Sequence, residues 1–183
     1  RISARHREVR FFVAKLVAEV RELFPAIVPE AFNGIDVIKA AGGSTEFMDI
    51  SVMYDGSKEG DSKYIHYGIG GEIDAEQPMN EIDSGVYKSV VDYVTWASTN
   101  YPADNYMLIL WNHGSGWKRS KLAAPFLKGI SYDDTSGNNI RTNDLTVMLA
   151  EMPVKINVLG YDACLMQMME VIYPIKDQVD YVV

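Results

Sequence analysis

Two short motifs in this sequence contain residue types that could do chemistry together. The first motif, residues 110–117, reads LWNHGSGW and places His113 before two glycines. The second motif, residues 160–166, reads GYDACLM and contains Cys164, the single cysteine of the chain. A thiol and an imidazole that meet in a folded protein form a nucleophile and its general base. The chemistry that this pair predicts is acyl transfer through the cysteine sulfur.

Each motif follows an apolar run that is typical of a buried strand. Residues 106–111 lead up to the histidine, and residues 156–161 lead up to the cysteine. If the two strands lie side by side and parallel, both side chains leave the sheet at its carboxyl edge, where sites form in open α/β sheets. The sequence therefore predicts that His113 and Cys164 converge at that edge.

The rest of the chain alternates between helical and strand-like patterns. Helices are predicted where apolar residues recur at helical spacing, and strands where short apolar runs end at turn residues. In chain order we expect helix 8–24, helix 29–41, strand 48–54, strand 64–67, a helix capped by Asp83 or Ser84 and running to 100, strand 106–111, a long loop at 114–139, a helix capped by Thr142 and running to 150, strand 155–161, helix 165–176 and a strand at 179. This alternation indicates an α/β fold with a mostly parallel sheet and helices on both faces.

Composition limits the classes of protein to which the chain can belong. Its 183 residues suffice for one domain, and 48% hydrophobic with 23% charged residues is an ordinary globular balance. The formal net charge of −8 disfavours nucleic acid as a partner and suits basic substrates or cations. No apolar run reaches the ~18 residues of a membrane span, and no signal peptide is visible at the start.

Cys164 is predicted at the point where a strand gives way to a helix. The positive end of a helix dipole would stabilise the thiolate, which is the reactive form. The backbone N–H at such a position is unpaired and can donate to a developing oxyanion. The alternative interpretation is a small buried residue at the end of a strand. We assign the nearby Met166, Met168 and Met169 to the core.

Glycines beside His113 favour a functional role for this histidine. Gly114 and Gly116 allow a sharp turn and leave backbone N–H groups unobstructed by a Cβ atom, which suits a second oxyanion donor. His113 could instead be a core histidine with satisfied hydrogen bonds, and the residues alone leave both interpretations open. The other two histidines, His6 and His66, are predicted at the surface.

Asp162 stands two positions before Cys164. Strand alternation places such residues on the same face, so the carboxylate would lie beside the nucleophile and could bind a cationic substrate side chain. The alternative is that Asp162 caps the next helix. No metal site is predicted, because one cysteine without HxxH or CxxC spacing offers no ligand set.

Three motifs in this order resemble those of a known family. HGSGW at 113–117, DDTSG at 133–137 and DACLM at 162–166, with Glu170 shortly after, lie within the segment from about 37 to 183. The set is similar to that of the clostripain-type cysteine peptidases, family C11 of the clan (clan CD) that also contains caspases, legumain, gingipains and separase.

The resemblance implies a caspase-like three-layer sandwich and a peptidase mechanism. Cys164 and His113 would be the catalytic dyad, and the Gly114 and Cys164 backbone amides would form the oxyanion hole. Asp162 would line the S1 pocket and favour protein or peptide substrates with arginine or lysine at P1. The chemistry would require no cofactor, although some members of the family need calcium. A bacterial protein that is secreted or displayed at the cell surface is implied.

The resemblance also implies maturation by cleavage between the histidine and cysteine strands. The loop at 114–139 is longer than most connections in a compact domain. Its basic residues, which an enzyme of this specificity would cut, are Lys118, Arg119, Lys121 and Lys128. We rank Lys128 and Lys121 first, and the alternative is an ordinary solvated loop.

The chain departs from the family pattern at both ends. The family opens with an apolar strand, whereas this chain opens with an arginine-rich amphipathic segment, so that strand is expected to be missing or upstream. Gln167 replaces a residue that is often small, and the family continues well past position 183. We therefore expect residues 1–183 to be a single, incomplete peptidase domain that a second chain or a C-terminal portion completes.

Two other functions stay open at this point. One is a Cys-His amidohydrolase or acyltransferase of another class on an open α/β sheet, which would prefer small amides to peptides. The other is an inactive fragment or relative that serves as a binding module. Reactivity of the Cys164 thiol and a screen of peptide substrates distinguish these functions from a peptidase.

Overall fold

The computed structural model describes residues 9–16, 38–56, 58–117 and 128–183, in which strands alternate with helices. The strands are β1 (Val9–Leu16), β2 (Met48–Asp55), β3 (Lys63–Tyr67), β4 (Ile73–Pro78), β5 (Asn105–Trp111), β6 (Gly129–Tyr132), β7 (Asn139–Arg141), β8 (Val158–Asp162) and β9 (Tyr181–Val182). The helices are α1 (Tyr87–Asn100), α2 (Asp144–Ala150) and α3 (Met169–Ile172), and α3 continues into a 3₁₀ turn at Tyr173–Ile175.

Most of these strands form one sheet with a parallel centre. Within the described residues, the order is β4-β3-β2-β1-β5-β8-β9, and β6 pairs with β7 separately. β1 is parallel to β2 and to β5, β8 is parallel to β5 and to β9, and β3 and β4 are antiparallel. The carboxyl ends of β1, β2, β5 and β8 therefore lie on one edge, the edge where sites form in such sheets.

Apolar side chains cover both faces of this sheet. On one face, Val94 of α1 and Leu145 of α2 are fully buried in the same cluster as Leu108 of β5. On the other face, Ile38, the first of the helical residues 38–40, packs with Val52 of β2. Each fully buried aliphatic side chain contributes about 1.5–3 kcal/mol of transfer free energy. The predicted α/β fold with helices on both faces is confirmed.

The prediction of a helix at 8–24 is wrong where the chain is described. Val9–Leu16 is β1, which pairs with a neighbouring strand on each side along its length. Its sequence, VRFFVAKL, contains four consecutive apolar residues, and periodicity alone cannot assign such a short run to a strand or a helix. The first strand that we expected to be missing or upstream is therefore present at the centre of the sheet. Residues 17–24 lie outside the described part.

The other strand predictions are mostly confirmed, with shifted ends. The strands at 48–54, 64–67, 106–111 and 155–161 correspond to β2, β3, β5 and β8. The helix at 29–41 is described only at residues 38–40, which are helical and are followed by Gly42 in the left-handed region (φ 92°). β4 was not predicted, because its mostly polar sequence lies on an exposed edge strand and shows no apolar alternation.

The long loop and the two predicted caps differ from expectation. β6 and the start of β7 lie inside the predicted loop at 114–139 and pair with each other. Neither Asp83 nor Ser84 caps α1, whose N-cap residue is Val86 without a side-chain cap. Thr142 does not cap α2 either, because its Oγ1 donates to the Gly116 carbonyl oxygen (2.9 Å) and so holds the histidine segment.

Candidate active site

The strands that precede the two motifs are direct neighbours. β5 and β8 pair in parallel, with Trp111 opposite Asp162. The Asn112 N–H extends this pairing by donating to the Asp162 carbonyl oxygen (3.3 Å). His113 and Cys164 each lie two residues past the paired position, so the two motifs meet at one edge of the sheet, as the sequence predicts.

Glycines bring the two motifs into backbone contact. A Cβ atom built on Gly114 would lie 2.4 Å from the Cys164 carbonyl oxygen and 3.2 Å from the Ala163 Cβ. A Cβ atom on Gly116, which has φ 60°, would lie 2.5 Å from the Leu165 carbonyl oxygen. Only glycine allows the histidine segment to approach the cysteine turn so closely. The positions of the glycines are therefore explained by this contact.

The side chains of His113 and Cys164 are exposed at this contact. The core-histidine and buried-cysteine interpretations are therefore wrong. In the described part of the chain, no hydrogen bond joins the imidazole to the thiol. Catalytic hydrogen bonds are often long in free enzymes and tighten when substrate binds, so the lack of a direct imidazole–thiol bond is compatible with a dyad.

Cys164 lies in a turn and not at the start of a helix. β8 ends at Asp162, Cys164 and Leu165 form a turn, and α3 begins only at Met169. The expected helix at 165–176 is thus shorter, and the helix-dipole explanation for a stabilised thiolate is wrong. Leu165 has φ 60°, which is a left-handed conformation that costs roughly 1–2 kcal/mol in a residue with a side chain. This strained residue reverses the chain directly after the thiol.

The backbone amides at the contact are available as hydrogen-bond donors. Among the described residues, no acceptor contacts the N–H of Gly114 or the N–H of Cys164. Unpaired N–H groups beside a nucleophile are what an oxyanion hole requires. Because the helix start is absent at Cys164, the turn itself leaves this N–H unpaired.

The Asp162 carboxylate is exposed at the end of β8. Its strand position places it on the same sheet face as Trp111 and opposite to Tyr161. The alternation argument does not extend to Cys164, since the strand ends at Asp162. The alternative role as a helix cap is wrong, because α3 has Met168 as its N-cap residue.

The DDTSG motif contains one structural and one exposed carboxylate. Asp133 is buried, and its carboxylate accepts hydrogen bonds from the N–H groups of Ser84 (3.2 Å), Thr135 (2.8 Å) and Ser136 (3.2 Å). Asp134 is exposed, and its pKa is raised by partial burial and by the Asp133 charge, while His113 acts in the opposite direction. The motif therefore fixes the β6–β7 turn and places a carboxylate in the electrostatic environment of His113.

A second buried carboxylate lies at the same edge of the sheet. Asp55 ends β2, is 4% exposed and accepts a hydrogen bond from the Ser62 hydroxyl (2.6 Å). Burial raises its pKa to about 6, and the neighbouring Asp133 and Glu81 charges act in the same direction. We assign it no role in the chemistry.

His66 is buried, so its predicted surface position is wrong. It is 4% exposed in β3, its Nδ1 contacts the Asp74 carboxylate at 2.5 Å and its Nε2 contacts the Asp49 carboxylate at 3.2 Å. The ring stacks on Tyr101 with centroids 3.7 Å apart. The surface prediction failed because β2, β4 and the end of α1 cover His66, and the polar residues around it in the sequence do not reveal this cover. His6 lies outside the described residues.

The candidate processing residues divide into two groups. Lys118, Arg119 and Lys121 lie outside the described residues. Lys128 is described, is exposed and has its Nζ 5.4 Å from the centroid of the Trp117 ring. The peptide bond after it leads directly into β6, whose first residue is buried.

Two residues that the sequence analysis did not single out flank the histidine. The side chains of Asn112 and Ser115 both hydrogen-bond to Tyr132 of β6. A polar residue on each side of the His-Gly pair, just past the end of a strand, was the available signal. Composition and periodicity do not reveal it.

The described residues offer neither a metal centre nor a membrane segment. In these ranges, no three histidine, cysteine, aspartate or glutamate side chains are grouped so that they could hold a metal ion. The described residues therefore offer no such group for calcium, and we assign calcium no step. No helix in the same ranges is both long enough and apolar enough to cross a bilayer.

Comparison with known proteins identifies the family of this chain. The model of the clostripain family matches residues 31–183. The chain belongs to the clostripain family. Clostripain of Hathewaya histolytica is 35% identical over 97 residues, which cover 50% of this chain and 18% of that protein. The clostripain-family chain therefore spans only a small part of this curated relative.

Solved structures establish the fold of this clostripain-family chain. A secreted C11 cysteine protease from Bacteroides thetaiotaomicron, solved with an irreversible peptide inhibitor, has a TM-score of 0.71 at 23% identity over 96% of this chain and 48% of its own. An inactive zymogen C11 protease from Parabacteroides distasonis has a TM-score of 0.64 at 21% identity over 96% of this chain and 47% of its own. The fold is the caspase-like α/β sandwich, and the chain spans about half the length of these relatives.

Proposed function

We propose that this clostripain-family chain carries the catalytic dyad of a cysteine endopeptidase that cleaves after arginine or lysine. The observation that supports this most is the contact of Gly114 with the Cys164 backbone, with both reactive side chains exposed beside it. Family membership favours a peptidase over an amidohydrolase or acyltransferase of another class. An exposed thiol disfavours a purely structural cysteine.

The mechanism is acyl transfer through a thioester. His113 accepts the proton of the Cys164 thiol, and the thiolate attacks the scissile carbonyl carbon. The N–H groups of Gly114 and Cys164 stabilise the oxyanion, and one such donor contributes about 2.7–4 kcal/mol. The C–N bond then breaks as the imidazolium gives its proton to the leaving amine. Water attacks the thioester with His113 as base, which releases the acid and restores the thiol.

Asp162 supports the preference for a basic P1 residue. Its carboxylate is exposed two residues before the nucleophile. A carboxylate binds a guanidinium through two charge-assisted hydrogen bonds and binds an ammonium as a point charge. The net charge of −8 adds a general attraction for cationic peptides.

Asp162→Asn is expected to change specificity more than catalysis. We predict that kcat/KM for peptides with arginine at P1 falls roughly 10–100-fold, because a neutral amide loses the charge-assisted pairing. Peptides with neutral P1 residues should keep their rates. A paired panel of fluorogenic peptides that differ only at P1 measures both values.

Glu170→Gln is the matched control for this variant. It removes the same charge from an exposed residue of α3 and should leave the P1 preference unchanged. Equal losses for basic and neutral substrates in Asp162→Asn would show that Asp162 does not line the S1 pocket. An equal shift in Glu170→Gln would show that the effect comes from net charge alone.

We further propose that the maturation cut follows Lys118, Arg119 or Lys121 and not Lys128. A protease requires an extended, accessible segment, whereas the bond after Lys128 is held in place. The buried Gly129 donates its N–H to the Ser115 Oγ (3.1 Å) and accepts from the Ser115 N–H (2.9 Å).

N-terminal sequencing of the matured protein tests this proposal. We predict new N-termini within residues 119–122, loss of the cut when all three upstream basic residues become alanine, and normal maturation of Lys128→Ala. A mature N-terminus at Gly129 would contradict the proposal, since it would require β6 to leave its partners during cleavage.

We also infer that a C-terminal portion or a second chain completes the substrate cleft. The chain spans about half the length of its solved relatives, so their remaining residues have no counterpart in these 183 positions. Secretion from a bacterial cell is proposed because the Bacteroides thetaiotaomicron relative is a secreted protease.

A further inference from the structure

Two polar side chains bracket the His113–Gly114 dipeptide and bind it to β6. Asn112 precedes the dipeptide, and its Oδ1 accepts hydrogen bonds from the His113 N–H (2.5 Å) and the Tyr132 N–H (3.3 Å). Its Nδ2 donates to the Tyr132 carbonyl oxygen (3.3 Å). One carboxamide therefore contacts the backbone of the histidine and both backbone polar groups of Tyr132.

Ser115 follows the dipeptide and contacts the same strand. The Ser115 N–H donates to the Gly129 carbonyl oxygen (2.9 Å), and the Ser115 Oγ accepts a hydrogen bond from the Gly129 N–H (3.1 Å). The Ser115 and Tyr132 hydroxyls lie 2.7 Å apart. Because Ser115 is buried, these bonds are shielded from water. We name Asn112, Ser115, Gly129 and Tyr132 the histidine clamp.

The histidine clamp binds the chain to β6 directly after the point where the pairing of β5 ends. β5 ends at Trp111, and one further bond, from the Asn112 N–H to β8, extends its pairing. Among the described residues, the next backbone bridge of this segment joins Gly114 to Ile130 of β6. Past this last bond to β8, the backbone that carries the imidazole is therefore aligned by β6. Such alignment matters because a misplacement of about 1 Å can cost about 10²-fold in rate.

We propose that Asn112 is a positioning residue that sets the orientation of the His113 imidazole by holding its backbone against β6. This inference rests on the proposed peptidase function, because it concerns the same reaction. Asn112 acts through the histidine N–H and through Tyr132. β6, which begins at Gly129 just past the candidate processing residues, thereby fixes one member of the dyad.

Asn112→Ala tests this role by removing the side-chain bonds to His113 and Tyr132. We expect kcat to fall roughly 10–100-fold while KM stays within about threefold, because substrate contacts are kept and the base is misaligned. Asn112→Asp keeps the acceptor oxygen but loses the donor and faces the Tyr132 carbonyl oxygen with a charge. We expect kcat to fall at least about threefold in that variant.

The pH dependence of Cys164 alkylation by iodoacetamide separates positioning from general damage. An imidazole beside the sulfur favours the thiolate, so Asn112→Ala should shift the alkylation profile to higher pH. Asn138→Ala is the matched control, because its amide lies on the same hairpin but donates to the Asp83 carboxylate (2.5 Å). This control should keep the wild-type kcat and the wild-type alkylation profile.

The outcomes separate this inference from the proposed function. Wild-type kcat and alkylation in Asn112→Ala, with Cys164→Ala inactive, would overturn the positioning role and leave the peptidase intact. Lack of both peptidase activity and selective Cys164 alkylation in the unaltered protein would refute the proposed function. If Asn112→Ala does not fold, an unchanged kcat and alkylation profile in Asn112→Asp overturns the positioning role.

Discussion

Replacing Cys164 with alanine is expected to abolish hydrolysis of peptides with a basic P1 residue. The substitution removes the proposed nucleophile, and Cys164 is the single cysteine of the chain that could form the thioester. Loss of a nucleophile that works with a base typically costs at least about 10⁴-fold in kcat, or about 5.5 kcal/mol of barrier. Initial rates with an arginyl fluorogenic peptide, compared with the unaltered protein, measure the loss.

His113→Ala is the companion variant for this prediction. Because the two side chains act as one unit in the proposed mechanism, the double variant should be no slower than the Cys164→Ala variant alone. Both residues are exposed, so the melting temperature should stay close to that of the unaltered protein. Retained peptidase activity in folded Cys164→Ala would remove the cysteine from the mechanism.

Gly114→Ala is expected to cause the second largest loss of activity. The added Cβ would lie 2.4 Å from the Cys164 carbonyl oxygen and 2.9 Å from the Met166 Cγ. The histidine segment must then move away from the cysteine turn, which displaces the imidazole together with the Gly114 N–H, the proposed oxyanion donor. Loss of one such donor or a shift of about 1 Å each costs about 10²–10³-fold, so we predict at least about 10²-fold in kcat.

Gly60→Ala is the control for a glycine substitution as such. An added Cβ at Gly60 meets no atom within 4 Å. An alanine there would be strained by the φ of 78°, whereas Gly114 has no such φ. We predict a loss of stability of roughly 1 kcal/mol, seen in thermal unfolding, and wild-type kcat. Near-normal kcat in a folded Gly114→Ala protein would show that the close contact with Cys164 is not needed for catalysis.

The part of the site that the sequence predicts correctly depends on two strands. β5 and β8 have apolar sequences that end at the motifs, and their parallel pairing brings His113 and Cys164 to one edge. This deduction uses only strand direction and therefore does not depend on side-chain detail. The helices α1 and α2 also follow from their apolar spacing, apart from their caps.

The errors lie where tertiary contacts override a local pattern. Val9–Leu16 fits helical spacing, but pairing with β2 and β5 makes it a strand. The residues after Cys164 are apolar enough for a helix, yet the approach of Gly114 and Gly116 imposes a turn on them. Short segments of this kind have no strong preference of their own, so their neighbours decide.

The most informative residue that the sequence analysis missed is Asn112. Its role depends on hydrogen bonds to Tyr132, twenty residues further along the chain, in a strand that was predicted to be a loop. The polar residues beside the His-Gly pair are a local signal, but they do not identify Tyr132 as the contact. Asparagine is also common in turns, and only the bonds from its side chain to β6 show that Asn112 has a different role.

Labelling with an irreversible peptide inhibitor tests the central claim most directly. An arginyl acyloxymethyl ketone, which alkylates a cysteine that attacks its carbonyl, should add once to the unaltered protein, and peptide mapping should place the adduct on Cys164. The adduct should be lost in Cys164→Ala and should form much more slowly in His113→Ala and Gly114→Ala. Absence of the adduct from folded unaltered protein, or labelling at the same rate in His113→Ala, would contradict a dyad of these two residues.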